Sequence, residues 1–286
     1  MCCVQNKIFP WLSSALIASV GFASCLSSCS SSSSDKAKEL LAKAEEVGRA
    51  GHYQQALDLL DSLDHAYQSE VDVRRQGMAL RPRMVEQLAN MLLQQADSIA
   101  AVGAYKLDTL LTRLKIVDNA IENYYVAVAE GGSSTTSPGL HPRMSTDGRF
   151  YMVATSPKQV GATSVTVSVA SGESATSATV AYDGERNDRY NGADVITFIE
   201  AECIELGKFV FEHSNEPMTL TFNGGSSVAT QSLSTAQREA IAIVYECATV
   251  ARERKKQELE KQRLTRMLDV ARSQIARTLQ DSIVNE

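Results

Sequence analysis

Leu40, Leu41, Ala44 and Val47 recur at the spacing of one helix face, and Gly48 and Gly51 interrupt it. A second helical run starts at Tyr53 and continues through Ala56, Leu57, Leu60 and Leu63, so residues 36–68 predict a helical hairpin. Ser69 with Asp72 approximates a capping box that opens a further helix, and Gly77 and Pro82 mark a kink in it. Beyond the kink the apolar positions take a coiled-coil rhythm: Val85, Leu88, Leu92, Ile99 and Val102. After Gly103 the rhythm restarts as Leu107, Leu110, Leu114, Val117, Ile121, Tyr124 and Val128, alternating steps of three and four. The pattern predicts one long kinked helix over 69–130, ended by Gly131 and Gly132.

The texture then changes. Residues 131–147, rich in Gly, Ser, Thr and Pro, predict a linker. In 148–233 the runs Phe150–Ala154, Thr163–Ala170, Ala175–Tyr182, Val195–Phe198, Leu220–Phe222 and Val228–Leu233 are short and β-rich, with Val165, Val167 and Val169 alternating against polar neighbours. They predict a small antiparallel β-domain with a short helical segment near Cys203–Phe211. Ser234 and Gln237 form a second capping box, and the helix of 234–286 carries Ile241, Val244, Ala248 and Ala251 on its seam. The seam lapses through the charged run Arg252–Arg263 and resumes at Leu264, Leu268, Ala271, Ile275 and Leu279. The two long helices flank the β-domain and would each reach roughly 70 Å, which predicts an antiparallel stalk. If Glu130 faces Ser234, Gly103 falls opposite Lys261 and the two seams lapse together. The expected fold class is α+β: an N-terminal helical hairpin and a long antiparallel, coiled-coil-like stalk, with a small antiparallel β-domain inserted between its two helices.

The first residues carry a different signal. Lys7 precedes an apolar run from Ile8 to Leu26, closed by Ser27, Ser28 and Cys29, the arrangement of a secretory signal rather than a membrane span. Leu26-Ser27-Ser28-Cys29 resembles the lipobox of bacterial lipoproteins. That resemblance implies a signal peptide over 1–28 and acylation of Cys29 (palmitate-type chains), which would hold the protein to a lipid bilayer of the cell envelope. A serine after the lipidated cysteine points, within that resemblance, to the outer membrane. Several chains anchor stably because each buried CH₂ contributes only about 0.8 kcal/mol. An ordinary cleaved signal peptide, or Cys25 with Phe22 three positions before it, are the alternatives. Residues 29–35 read as a Ser-rich tether. The overall texture is similar to small, uncharacterised lipoproteins of Bacteroidetes. Gly51-x-Tyr53-x-x-Ala56-Leu57, followed by Leu60, resembles the second helix of a tetratricopeptide repeat and implies partner binding through Tyr53, Ala56 and Leu60. Gln68 stands where that family often has Pro, and a stable stack takes about three copies where this chain has one.

A formal net charge of −6 opposes nucleic-acid phosphates, and no basic stripe appears. Cys203 and Cys247 could pair in an export compartment or lie as free buried thiols. His52, His65, His141 and His213 lack zinc-site spacing, and no hydrolase, P-loop or dinucleotide motif is present, so no catalytic residue, cofactor or metal is expected. Residues 183–194 gather Asp183, Glu185, Asp188 and Asp194 against Arg186 and Arg189, the make-up of a polar surface loop. With Tyr182 and Tyr190 beside them, Asp183 and Asp194 are the candidate contacts to a glycan or peptide. The expected role is a non-enzymatic scaffold or protein-interaction module for an unidentified envelope protein, and the long seams also allow self-association of the stalk. The alternative is a ligand-binding protein that uses its β-domain. An aromatic-lined cleft on the sheets would favour the alternative; a smooth sheet beside an exposed helix groove would favour the scaffold.

Overall fold

A computed structural model describes residues 32–130 and 137–284. The proposed signal peptide, the lipobox and Cys29 lie outside the described residues. The protein is α+β, with five α-helices and two antiparallel sheets among the described residues.

Helix α1 (Ser33–Arg49) opens on a capping box in which Ser32 and Asp35 bond each other's backbone. Gly51, at φ 88°, turns the chain into α2 (Tyr53–Ala66). Both helices pack on α3 (Val71–Leu111) through Ala37, Leu41, Leu57, Leu60, Leu63, Val73 and Leu88. Gly77 lets α3 approach this close, since a Cβ there would already stand 3.1 Å from Leu63. Arg81 spans the seam, reaching Asp61 at 2.6 Å and Asp64 at 2.9 Å.

The helix expected to reach residue 130 stops at Leu111. The chain instead forms a hairpin of β1 (Leu114–Val117) and β2 (Tyr124–Ala127), with Leu114 opposite Ala127. The heptad spacing here falls on residues that favour strands: Ile116, Val117, Tyr124, Tyr125 and Val126. Two asparagines supply the turn, because Asn123 Oδ1 accepts the Asn119 N–H at 3.1 Å and Asn119 Oδ1 accepts the Ile121 N–H at 3.0 Å. Ile121, expected on the helical seam, is 96 % exposed at this turn.

The first sheet runs in the order β1-β2-β3-β4-β8-β7, with β3 at Gly139–Ser145, β4 at Phe150–Thr155, β7 at Asn187–Tyr190 and β8 at Ala193–Ile199. The second runs β10-β9-β5-β6, with β5 at Ser164–Val169, β6 at Ser174–Thr176, β9 at Met218–Asn223 and β10 at Ala229–Leu233. Three expectations are corrected here. Strand β3 lies inside the stretch read as a linker, because its Gly and Pro residues disguise a strand paired along its length with β4. The sheets therefore begin near residue 114 rather than 148. Strand β7 takes four positions of the expected polar loop, and the strand expected over Ala175–Tyr182 shrinks to β6.

Helices α4 (Ile204–Glu212) and α5 (Thr235–Val284) close the core. Inner residues of both sheets, among them Phe150, Phe198, Leu220 and Phe222, share one cluster with Leu206, Ile241, Val244 and Cys247. Further along, α5 runs antiparallel to α3: Glu246 meets Lys106 at 2.9 Å, Lys261 meets Asp97 at 2.8 Å and Arg272 meets Glu86 at 3.0 Å. Ala89 and Ala96 on α3, and Leu264, Leu268 and Ala271 on α5, are among the buried residues of this stretch. Lys261 thus sits beside Asp97 and not opposite Gly103. Ile99 and Val102, expected on the seam, are 39 % and 71 % exposed, because small alanines take the contact and let the helices come close. No described helix is long and apolar enough to cross a membrane.

Two glycines test the packing in opposite directions. A Cβ at Gly207 would stand 2.7 Å from the Phe150 ring and 2.8 Å from Tyr245, whereas one at Gly103 meets nothing within 4 Å. Gly207→Ala is expected to lower stability by about 1–3 kcal/mol through overpacking. Gly103→Ala is expected to raise it by roughly 1 kcal/mol, the helix-propensity difference. Thermal unfolding of both variants checks the pair.

Candidate functional site

The residues singled out in the 183–194 stretch serve the fold in different ways. Asp194 is 1 % exposed, and its Oδ2 accepts the backbone N–H groups of Val160, Gly161 and Ala162 at 2.8, 2.9 and 3.1 Å. Its own N–H donates to Ser156 Oγ at 2.8 Å. Beside it the buried Asn187 side chain donates to the carbonyls of Ala162 and Val180. Asp183 Oδ1 accepts the N–H groups of Asn187, Glu185 and Arg186, and those bonds hold its carboxyl below the ordinary carboxylate range. Tyr182 and Tyr190 are exposed, with the Arg189 guanidinium 4.6 Å over the Tyr182 ring. These four residues line none of the clefts described below.

The hairpin candidates lie inward. Ala56 and Leu60 are buried and Tyr53 packs on the same cluster, so their side chains fill the core between helices. Cys203 and Cys247 are free and buried, and burial pushes their thiols up to about 12 and about 11. Neither is a thiolate near neutral pH. No group of three or more His, Cys, Asp or Glu among the described residues is placed to hold a metal.

A cleft of about 330 Å³ opens on the outer face of the first sheet. Strand register builds it: Arg143 of β3 lies opposite Tyr151 of β4, which lies opposite Ile199 of β8. Side chains alternate along a strand, so the partners of Phe150 and Met152 in the core leave Tyr151 facing out. Tyr124 of β2 meets the Tyr151 ring edge-on at 6.4 Å, and the Arg143 guanidinium covers the Tyr124 face at 4.2 Å. Burial pushes the Tyr151 phenol up, while Arg143 beside it pulls the other way.

The cleft's two cations differ. Arg149 is held by Glu122 at 2.9 Å and Asp147 at 3.0 Å, and both contacts raise its pKa. Arg143 has no carboxylate within 4.0 Å among the described residues; its contacts are the two tyrosines. Ile121 and Ile199 are exposed at the rim, each followed in the chain by a carboxylate that also lines the cleft, Glu122 and Glu200. Glu200 holds a left-handed conformation, φ 45°, which non-glycine residues keep only where neighbours fix it. Glu202 supplies that fixing by accepting the Ile199 N–H at 2.9 Å and Arg186 at 2.8 Å.

Other clefts are larger and offer less. One of about 730 Å³ between α2, α3 and α5 contains Arg74, Arg75, Arg81 and Arg277, the first three already paired with Asp64 or Asp72. One of about 400 Å³ lies where α3 and α5 meet the sheet, beside Arg254, Lys255 and Glu258.

The chain matches none of the protein-family models, curated proteins or solved structures with which it was compared. The functional reading therefore stands on the geometry of the cleft. Three of its central residues escaped the sequence pattern: Tyr124 fell on an apparent helical seam, Arg143 in an apparent linker, and Tyr151 in a strand whose register was unknown. The alternation around Tyr151, with Phe150 and Met152 flanking it, is the one local signal that points outward.

Asp194 sets the loop beside β8, so Asp194→Ala would strand three backbone N–H groups. Each unsatisfied buried donor costs roughly 1–3 kcal/mol, and a loss of about 3 kcal/mol or more is expected in denaturant unfolding.

Proposed function

We propose that the chain is a non-enzymatic binding protein of the cell envelope whose ligand site is the Tyr124–Arg143–Tyr151 cleft. In this reading acylated Cys29 anchors it to the bilayer and the Ser-rich stretch is its tether. The N-terminal hairpin and the α3–α5 pair act as a stalk, and the β-domain inserted between those helices is the recognition head. The observation that carries the reading is an aromatic-lined concavity containing an arginine that no carboxylate of the described chain neutralises. Burying or crowding a cation without a partner has a cost that a ligand can offset.

A hydrolytic reading has less support. Ser145 in the cleft donates to Asp147, but Ser145 and Arg149 hold the Asp147 carboxyl below its usual range. A carboxylate so stabilised is a weak general base. The scaffold reading has one specific observation in its favour. Ile99, Val102 and Tyr105 on α3 form an exposed apolar stripe, with Tyr105 at 78 %.

Photo-crosslinking in native envelopes separates the two. A crosslinkable residue at Thr197, on the cleft, is expected to form adducts that one at Tyr105 does not. Adducts at Tyr105 alone would transfer recognition to the helices and overturn the cleft reading. Point probes are preferable to deleting 148–233, because β1, β2 and β3 lie before that span and share its sheet. The anchor has its own test: Cys29→Ala is expected to abolish incorporation of an alkyne-palmitate label and to release the protein from the membrane fraction.

A further inference from the structure

We propose that the cleft selects an extended peptide segment in which a carboxylate side chain lies two residues from an aliphatic one. Arg143 receives the carboxylate, and Ile121 and Ile199 receive the aliphatic group. This rests on the binding reading above and names the ligand class.

Charge comes first. Of the two arginines in the cleft, Arg149 already holds Glu122 and Asp147, while Arg143 stacks on Tyr124, bonds Tyr151 and has no carboxylate within 4.0 Å among the described residues. A guanidinium stacked on a ring keeps its N–H fork in plane and free to grip a carboxylate with two parallel bonds. Glu122 and Glu200 line the same cleft, so a polyphosphate or other dense polyanion would be repelled. A single carboxylate among neutral neighbours fits this field.

Shape removes the sugar alternative. Sugar rings pack on flat, open aromatic faces, yet Tyr124 is 6 % exposed, its face is covered by Arg143, and the Tyr151 ring stands at 72° to it. Instead the exposed surface beside the cation is aliphatic, with Ile121 at 96 % and Ile199 at 44 %. That is the surface for a Leu, Ile or Val side chain.

Spacing sets the register. Arg143 and Ile199 flank Tyr151 on neighbouring strands, so their backbones are two inter-strand steps apart, about 10 Å. An extended peptide advances roughly 3.3 Å per residue with side chains alternating between faces, so two residues is the separation that presents both side chains to the cleft, and the long arginine side chain leaning inward makes up the difference. The cleft's volume of about 330 Å³ suits a few side chains and not a folded partner.

Panning a random heptapeptide display library on the full chain tests this, with oligogalacturonate as a carbohydrate arm measured by calorimetry. Enriched peptides are expected to place Asp or Glu two positions from Leu, Ile or Val. Replacing that acid by its amide should weaken binding at least tenfold to the unaltered protein and have no effect on Arg143→Gln, with Arg143→Lys intermediate. Ile121→Ser, at a side chain outside the core, should weaken the same peptides while leaving the melting temperature unchanged. Binders that lack an acid, or that bind Arg143→Gln equally well, overturn the proposal while the cleft remains a binding site. Binding of oligogalacturonate in place of peptides overturns it too. No binder in either arm removes both the proposal and the binding reading.

Discussion

Ile241, Val244 and Cys247 disappear into the core of the two sheets, and Leu264, Leu268 and Ala271 on the same helix are buried where it runs beside α3. Everything else in the molecule is arranged around that shared use of α5. Its first turns give the inner residues of both sheets an apolar surface to cover, and a sheet with one uncovered apolar face is not stable in water. Its later turns give α3 a partner, which α3 needs because α1 and α2 cover only its first half. The ion pairs from Lys106–Glu246 to Glu86–Arg272 follow the register but lie near solvent and contribute little by themselves. Register between the helices is set by close contact at alanines, where a larger side chain would hold the two apart.

The cleft inherits its precision from the same source. Core residues Phe150, Met152 and Phe198 commit β4 and β8 to one face, and their neighbours Tyr151 and Ile199 have no choice but the other. Asp194 and Asn187 then tie the chain next to β8 by hydrogen bonds to backbone rather than to side chains. Such ties are insensitive to the identity of nearby side chains. The outer face can therefore carry unusual residues, a stacked arginine and a left-handed glutamate, without disturbing the strands beneath.

Much of the α+β character can be read from the chain, because amphipathic helices and alternating strands write burial into their spacing. Ile241, Val244, Ala248, Leu264, Leu268 and Ala271 of α5, and Val165, Val167 and Val169 in β5, are buried where the pattern places them, whereas Leu279, expected on the same seam, is 52 % exposed. The hairpin at 114–127 defeated the same logic. Steps of three and four through Leu114, Val117, Tyr124 and Val128 satisfy a heptad, and only the β-branched and aromatic filling with Asn119 and Asn123 argues otherwise. The site was less legible still. Tyr124, Arg143, Tyr151 and Ile199 are scattered over 76 positions and meet through cross-strand register, which depends on the whole sheet. Asp194 shows the converse: a carboxylate in a polar stretch looks available in the sequence, and burial beneath three N–H groups removes it.

The distance along the chain between α3 and α5 has a temporal meaning. The later half of α3 buries its apolar face only when residues beyond 235 are brought back over more than a hundred positions of intervening chain. Contacts of that separation form late and slowly, since loop closure must precede any gain from burial. Until those contacts form, the later half of α3 keeps its apolar face open to water, so the joining of α3 to α5 is the step that closes the fold.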